Sequence, residues 1–317
     1  MAAEYDRAHI ERLLNERSNW GRWGSDDQFG AVNLITAEKR VSAAALVRTG
    51  RAVAMSRPLP VTPSANAMRP AMRYVRDQRM LEMGEMPSAS EVAGTAVEYC
   101  GIEFHGPTCT HLDALCHVWG EHGMWNGRDP VKEVGSGGAS WGGIEVWSTG
   151  LITRGLFFDV PAFRGVPFVE YDRPVHGSEL QAIADDRGIT LEPGDAVVVY
   201  SGRAAWDQAN VAWGAEVTNE GQLRRAGLHA SCLEFLKDND CAVLAWDMQD
   251  FMPNEWGLPW TVHGAIYSFG MALVDNCELE PLADACRREE RLEFMLVVLP
   301  LWAVGGTGSP VTPVALF

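Results

Sequence analysis

The pattern of apolar and polar positions predicts a chain that alternates between helices and strands. Ile10, Leu13 and Leu14 recur at helical spacing among charges, predicting a short amphipathic helix from Tyr5 to about Arg17. The period then breaks through Asn19–Leu34, where Gly21, Gly24, Gly30 and the Asp26-Asp27 pair mark tight turns around Trp20 and Trp23. Thr36 stands as the cap of a second helical pattern, Ala37–Leu46, with Glu38 in its first turn. Val53–Val61 reads as a strand ending at prolines. Thr62–Ser90 has Met, Pro, Ala and Arg without a period, the composition of a long surface excursion that serves as a lid or an oligomer contact. Ala96–Phe104 is predicted to be the strand that delivers the histidine-rich segment after it.

Beyond that segment, Gly135-Ser136-Gly137-Gly138 reads as a flexible connection, too short for a domain linker. Apolar runs of strand length follow at Ile152–Val160, Ala196–Ser201, Cys241–Trp246, Arg291–Leu301 and Val311–Leu316. Asp247 ends the third of these, a place from which an acid reaches a site. Ser178 is expected to cap a helix over Glu179–Arg187, and Leu228–Asp238 reads as another, with His229 at its start. Thr261 to about Ala272 is predicted as a helix running on to Asp275. Strands and helices mixed without strict alternation predict an α/β fold of mixed sheet topology, in one domain spanning residues 1–317. Residues 1–50 and 62–90 are then peripheral or oligomer elements.

Composition narrows the function. The 317 residues are 47% hydrophobic and 21% charged, ordinary for a globular protein with a sizeable core. A formal charge of −16 excludes a phosphate-binding surface and argues against nucleic acid. The seven cysteines are odd in number and lack a Cys-x-x-Cys pair, which predicts reduced thiols and a cytoplasmic setting. No stretch is long and apolar enough to span a bilayer. Twelve tryptophans are numerous, and mean a large core, a subunit interface or an apolar pocket.

The chemistry concentrates in Glu103–His117, which holds three of the eight histidines. His111 and Asp113, at i and i+2, leave the same face of an extended backbone, an imidazole and a carboxylate placed to hold a divalent metal such as zinc or manganese. His117 follows as a proton carrier, since histidine titrates near neutrality. His105 lies two residues before Pro107, and with His229 is expected on the substrate side. There is no Gly-x-Ser-x-Gly nucleophile elbow, so water is the expected nucleophile.

Thr110-His111-Leu112-Asp113 with His117 resembles the signature of the cyclase family of metal-dependent hydrolases, which includes kynurenine formamidase and isatin hydrolase. That motif runs His, two residues, Thr-His-x-Asp, three residues, His. Here Pro107 occupies the first histidine's place, so His105 is the residue that partly replaces it, and one ion per chain is expected rather than two. Asn19–Leu34, Pro193–Gly202 and Gly305–Pro310 resemble further family segments. The resemblance implies a barrel-like mixed sheet with outer helices, of the swivelling β/β/α type. It also implies His263 and Asp275 as remaining metal ligands, with aspartate where the family has glutamate.

The reaction so implied is hydrolysis of the C–N or C–O bond of a small cyclic amide, N-acyl amine or lactone by a metal-activated water, with His117 carrying the proton. Two other readings fit some of the residues. His-x-Asp with a distant histidine is also the facial triad of non-haem iron oxygenases. A non-catalytic small-ligand binder on the same scaffold would tolerate Pro107 and Asp275, although it would have no use for His117. A homodimer or homotetramer is expected from the Met- and Pro-containing excursion and the Trp-rich N-terminal segment.

Overall fold

The structure, a computed structural model, describes residues 5–77, 96–210 and 212–317. Helix Arg7–Glu16 opens it, with the Asp6 carboxylate accepting from His9 N–H at 2.6 Å and Ile10, Leu13 and Leu14 buried on its inner face. Helix Ala37–Ala44 is capped by Thr36, whose hydroxyl accepts from Lys39 N–H at 3.2 Å. The thirteen strands, in chain order among the described residues, are β1 (Ala52–Ala54), β2 (Met72–Asp77), β3 (Ala96–Gly101), β4 (His111–Asp113), β5 (Val134–Gly135), β6 (Gly138–Ala139), β7 (Leu151–Asp159), β8 (Ala196–Tyr200), β9 (Val243–Trp246), β10 (Ala272–Asp275), β11 (Glu293–Val298), β12 (Gly308–Pro310) and β13 (Val314–Leu316).

Nine of them form one curled, mixed sheet, in the order β1-β13-β11-β7-β8-β9-β10-β4-β12. The run β7-β8-β9-β10 is parallel and the remaining pairings are antiparallel. Sequence explains the division. β8, β9 and β10 read Ala-Val-Val-Val-Tyr, Val-Leu-Ala-Trp and Ala-Leu-Val-Asp, apolar runs suited to burial on both faces. β11 alternates, with Phe294, Leu296 and Val298 buried and the residues between them half-buried. Helices lie along the outside of the sheet, and no helix of the described residues is long and apolar enough to cross a membrane.

The sheet positions the site through one register. β4 is wholly buried between β10 and β12, with Asp275 opposite His111, and Leu273 and Gly308 opposite Asp113. Directly paired residues share a face, so His111, Asp113 and Asp275 project together while Leu112 points into the core.

Several expectations change. The predicted helix Thr261–Asp275 is two elements: helix Gly264–Phe269 ends at Gly270 in the left-handed conformation, and Ala272–Asp275 is β10. Helical spacing was ambiguous in so uniformly apolar a run, and the glycine decides it. The strand expected over Val53–Val61 is only Ala52–Ala54. Ala96–Gly101 pairs with Met72–Asp77 in a separate two-stranded ribbon, so part of the excursion is a strand; residues 78–90 lie outside the described residues. Ser178 does not cap its helix, which begins at Gly177 after His176. His229 does not open a helix either, because that helix is Cys232–Asp238. Gly135–Gly138 is the hairpin β5-β6 rather than a flexible connection. Gly138 has φ +117, and a Cβ there would lie 2.8 Å from the Gly305 carbonyl oxygen that Ala139 N–H binds at 2.8 Å.

Leu273 is fully buried beside the carboxylate pair, where truncation leaves a cavity the sheet cannot close. Leu273→Ala should cost about 2–5 kcal/mol in denaturant unfolding. A loss below about 1 kcal/mol would mean that the strand packs less tightly than described.

Candidate metal centre

The sheet and two loops bring His105, His111, Asp113, His117, His263 and Asp275 together. Asp113 is the hub. Its Oδ1 lies 2.9 Å from His105 Nδ1, 3.4 Å from His111 Nε2 and 3.7 Å from His117 Nε2. Its Oδ2 lies 3.8 Å from His263 Nε2, which in turn is 3.1 Å from Asp275 Oδ2. His111 Nε2 is 3.9 Å from that same Asp275 oxygen. Donor atoms bound at about 2.0–2.2 Å to one tetrahedral ion stand about 3.3–3.6 Å apart, and these separations, 2.9 to 3.9 Å, bracket that spacing, so the group could hold an ion.

Hydrogen bonding on the outer side of each ring fixes which nitrogen faces inward. His111 Nδ1 is 3.0 Å from the Cys109 carbonyl oxygen and His105 Nε2 is 2.9 Å from Thr307 Oγ1. His263 Nδ1 binds Asp250, whose other oxygen accepts from Thr261 Oγ1 at 2.5 Å. These outer partners leave His111 Nε2, His105 Nδ1 and His263 Nε2 facing carboxylate oxygens, across gaps that a proton or a divalent cation can bridge. The buried atoms show the need directly. Both Asp113 oxygens and His105 Nδ1 have no aligned hydrogen-bond partner, despite their proximity. Two three-residue groups, His105–His111–Asp113 and Asp113–His263–Asp275, can each hold an ion and share Asp113.

Electrostatics agrees with the geometry. Burial works to raise the Asp113 carboxyl, but His117, His111 and His105 around it hold it well below the usual carboxylate range. Burial lowers His263, yet Asp250 and Asp275 outweigh it and raise the ring well above its ordinary value, which favours the protonated imidazole. Burial also works to raise Asp250, but His263 and Thr261 pull it down to about 2. Burial drives His117 the other way, to about 4, leaving it neutral at pH 7.

Of the residues expected from sequence, His111, Asp113, His117, His263 and Asp275 meet here. His105, expected on the substrate side and as a partial replacement for the histidine absent at 107, stands beside Asp113 among these atoms. Pro107 sits in a loop against Gly214, where a Cβ would lie 2.8 Å from its ring. His229 packs with Tyr5, His176 and Trp256, and its Nδ1 is 2.9 Å from Ser231 Oγ. Asp247 does not reach the cluster: its carboxylate accepts from the Ser201, Gly202 and Arg203 N–H groups, and burial raises it to about 6. Sequence reasoning missed Asp250, Gln249 and Trp246. Trp246 Nε1 donates to Asp275 Oδ1 at 2.5 Å, and Gln249 Nε2 donates to Asp275 Oδ2. The one signal for them was proximity to the end of strand Cys241–Trp246.

Fold and site together define a mixed α/β protein with a buried histidine–carboxylate cluster at the carboxyl ends of its parallel strands. The chain belongs to the cyclase family, whose model, Cyclase, matches residues 40–251. A crystal structure described as a novel cyclase is similar at 26% identity and TM-score 0.76, over 95% of this chain and 99% of that one. Isatin hydrolase A from Ralstonia solanacearum shares the fold at 15% identity and TM-score 0.56, over 88% and 97% of the two chains. Isatin hydrolase A from Labrenzia aggregata, bound to benzyl benzoate, does so at 14% and 0.55, again over 88% and 97%. A comparison with curated proteins finds no significant match.

Asp250 and Asp275 favour a proton on His263, and a divalent ion bound to that ring would displace it. Metal uptake should therefore release at least one proton at pH 7 and weaken as pH falls. Titration calorimetry in buffers of different ionisation heat measures the release; identical heats in all buffers would contradict it.

Proposed function

We propose that the protein is a metal-dependent hydrolase that opens the C–N or C–O bond of a small cyclic amide, N-acyl amine or lactone, with water as nucleophile. The observation that carries this reading is Asp113, a fully buried carboxylate with neither oxygen hydrogen-bonded and imidazole nitrogens on every side. His111, Asp113 and His105 would hold the ion on one side, and His263 and Asp275 with the same Asp113 on the other. Mixed imidazole and carboxylate donors suit zinc or manganese. A divalent ion bound there lowers the pKa of a water and polarises a carbonyl.

The chain's own residues supply the proton path. Neutral His117 takes a proton from the attacking water on Nε2 as the water oxygen bonds to the carbonyl carbon. It returns that proton to the nitrogen or oxygen that leaves as the old bond breaks. Phe104, 6.1 Å from the His111 ring, and Trp260, 5.6 Å from the His263 ring, give the cluster aromatic neighbours and favour a flat substrate.

His117→Ala should keep its metal and lose turnover on a panel of lactams, formamides and lactones by at least about 100-fold. Chelation should abolish turnover in the wild type. Loss of metal along with activity would make His117 a ligand; iron content with oxygen uptake would replace hydrolysis by oxygenase chemistry.

A homodimer or homotetramer is part of the same proposal. The β2-β3 ribbon leaves Met72, Tyr74, Val75 and Tyr99 exposed, and an isolated two-stranded ribbon is marginal in water. Sedimentation at micromolar concentration should show an oligomer, and a monomer there would refute it.

A further inference from the structure

Two arginines outside the reaction lie against one indole. The Arg203 and Arg225 guanidinium carbons are 4.6 and 4.7 Å from the Trp213 ring centroid. Trp213 is itself buried, its Nε1 donating to the Ala226 carbonyl at 2.7 Å. Each arginine serves a different half of the histidine–carboxylate cluster, through one intervening amide.

Arg225 Nη1 donates to Gln249 Oε1 at 3.3 Å. An amide has a donor end and an acceptor end, so occupying Oε1 turns Nε2 toward Asp275, where it donates to Oδ2. With Trp246 on Oδ1, both Asp275 oxygens are held and the carboxylate loses its rotational freedom. Arg203 Nη1 donates to Asn276 Oδ1 at 2.6 Å in the same manner. Asn276 Nδ2 then donates to the Gly106 and Cys109 carbonyls at 2.5 and 3.2 Å. The Cys109 carbonyl is also the partner of His111 Nδ1, so this bond sets the plane from which His111 Nε2 faces Asp113.

Orienting these amides is a use that accounts for the buried Arg203 and the half-buried Arg225. Arg203 is 1% exposed, its nearest carboxylate is 3.7 Å away on Asp207, and both arginine Nε atoms lack a hydrogen-bond partner. Desolvating guanidinium groups without full pairing is costly, and they contribute nothing to packing that a methionine would not.

We infer that Arg225–Gln249 and Arg203–Asn276, joined at Trp213, are paired positioning residues that set Asp275 and His111 at metal-ligand distance. The inference rests on the metal reading above and adds which residues tune the affinity of that site. Removal of such outer partners typically weakens metal binding about 10- to 100-fold.

The test uses the full chain, stripped of metal, titrated with zinc or manganese alone against a chromogenic chelator. Gln249→Leu, Arg225→Met and Asn276→Gly should each raise the metal Kd about 10- to 100-fold. Glycine at 276 keeps the left-handed backbone, φ 55° in the asparagine, so its effect reports the lost side chain. If Arg225 acts through Gln249, the Arg225→Met/Gln249→Leu double variant should match Gln249→Leu alone to within about twofold. Should Gln249→Leu fail to fold, Gln249→Met carries the same readout. Folded variants with a Kd within about twofold of wild type would overturn the positioning role while leaving the metal reading intact. Multiplying losses in the double variant would overturn the relay through Gln249. A wild type that binds neither ion overturns the metal reading and this inference together.

Discussion

Burying an ionised carboxylate costs several kcal/mol unless hydrogen bonds or opposite charge offset it. Asp113 is fully buried and receives no hydrogen bond on either oxygen, so the offset has to come from charge. Imidazoles approach Oδ1 from His105, His111 and His117, and His263 approaches Oδ2. Protons favoured on His111 and His263 supply part of the charge in the metal-free protein, and a divalent ion would supply it better. The surrounding architecture serves to keep this one carboxylate dry and encircled.

The sheet does so by placing its shortest fully buried strand where two registers meet. β4 has only three residues, and both of its neighbours pair with it antiparallel. The neighbour on one side, β10, is also the last strand of the parallel run. The carboxyl ends of β8, β9 and β10 therefore gather near β4, bringing Ser201, Asp247, Asp275 and Asn276 into reach of one another. Open α/β sheets commonly place their sites at such ends. Asp247 shows that position alone does not make a ligand: backbone N–H groups of the following loop claim its oxygens before the cluster can.

Much of this was legible in the chain. The two-residue alternation of His111 and Asp113 specifies a shared face, and the apolar runs of β8 and β9 specify buried strands. Glycine and threonine at helix ends located the helix Ala37–Ala44 and the break before β10, the latter only in retrospect. What was not legible depends on contacts distant in sequence. Asp250 is identified by its bond to His263, thirteen residues on, and Gln249 by its bond to Asp275. Neither an aspartate nor a glutamine after a strand carries a local mark of that role. His229 shows the same dependence on distant contacts, since its neighbours Tyr5, His176 and Trp256 come from three separate stretches of the chain.

His105, read from sequence as a partial replacement for the histidine absent at 107, has a geometry that bears on the proton chemistry. Its ring lies parallel to that of His117, with centroids 3.6 Å apart and planes 3° from coplanar. Positive charge on both rings of that stack would be strongly repulsive. Burial and the neighbouring His105 and His263 all push His117 toward its neutral form, while Asp113 works against them. In the proposed reaction, a proton accepted by His117 from water would thus be held loosely and would pass readily to a more basic leaving nitrogen. On the reading proposed above, the histidine near the gap left by Pro107 would do more than offer a nitrogen to an ion: stacked on His117, it would disfavour a positive charge on the proton carrier.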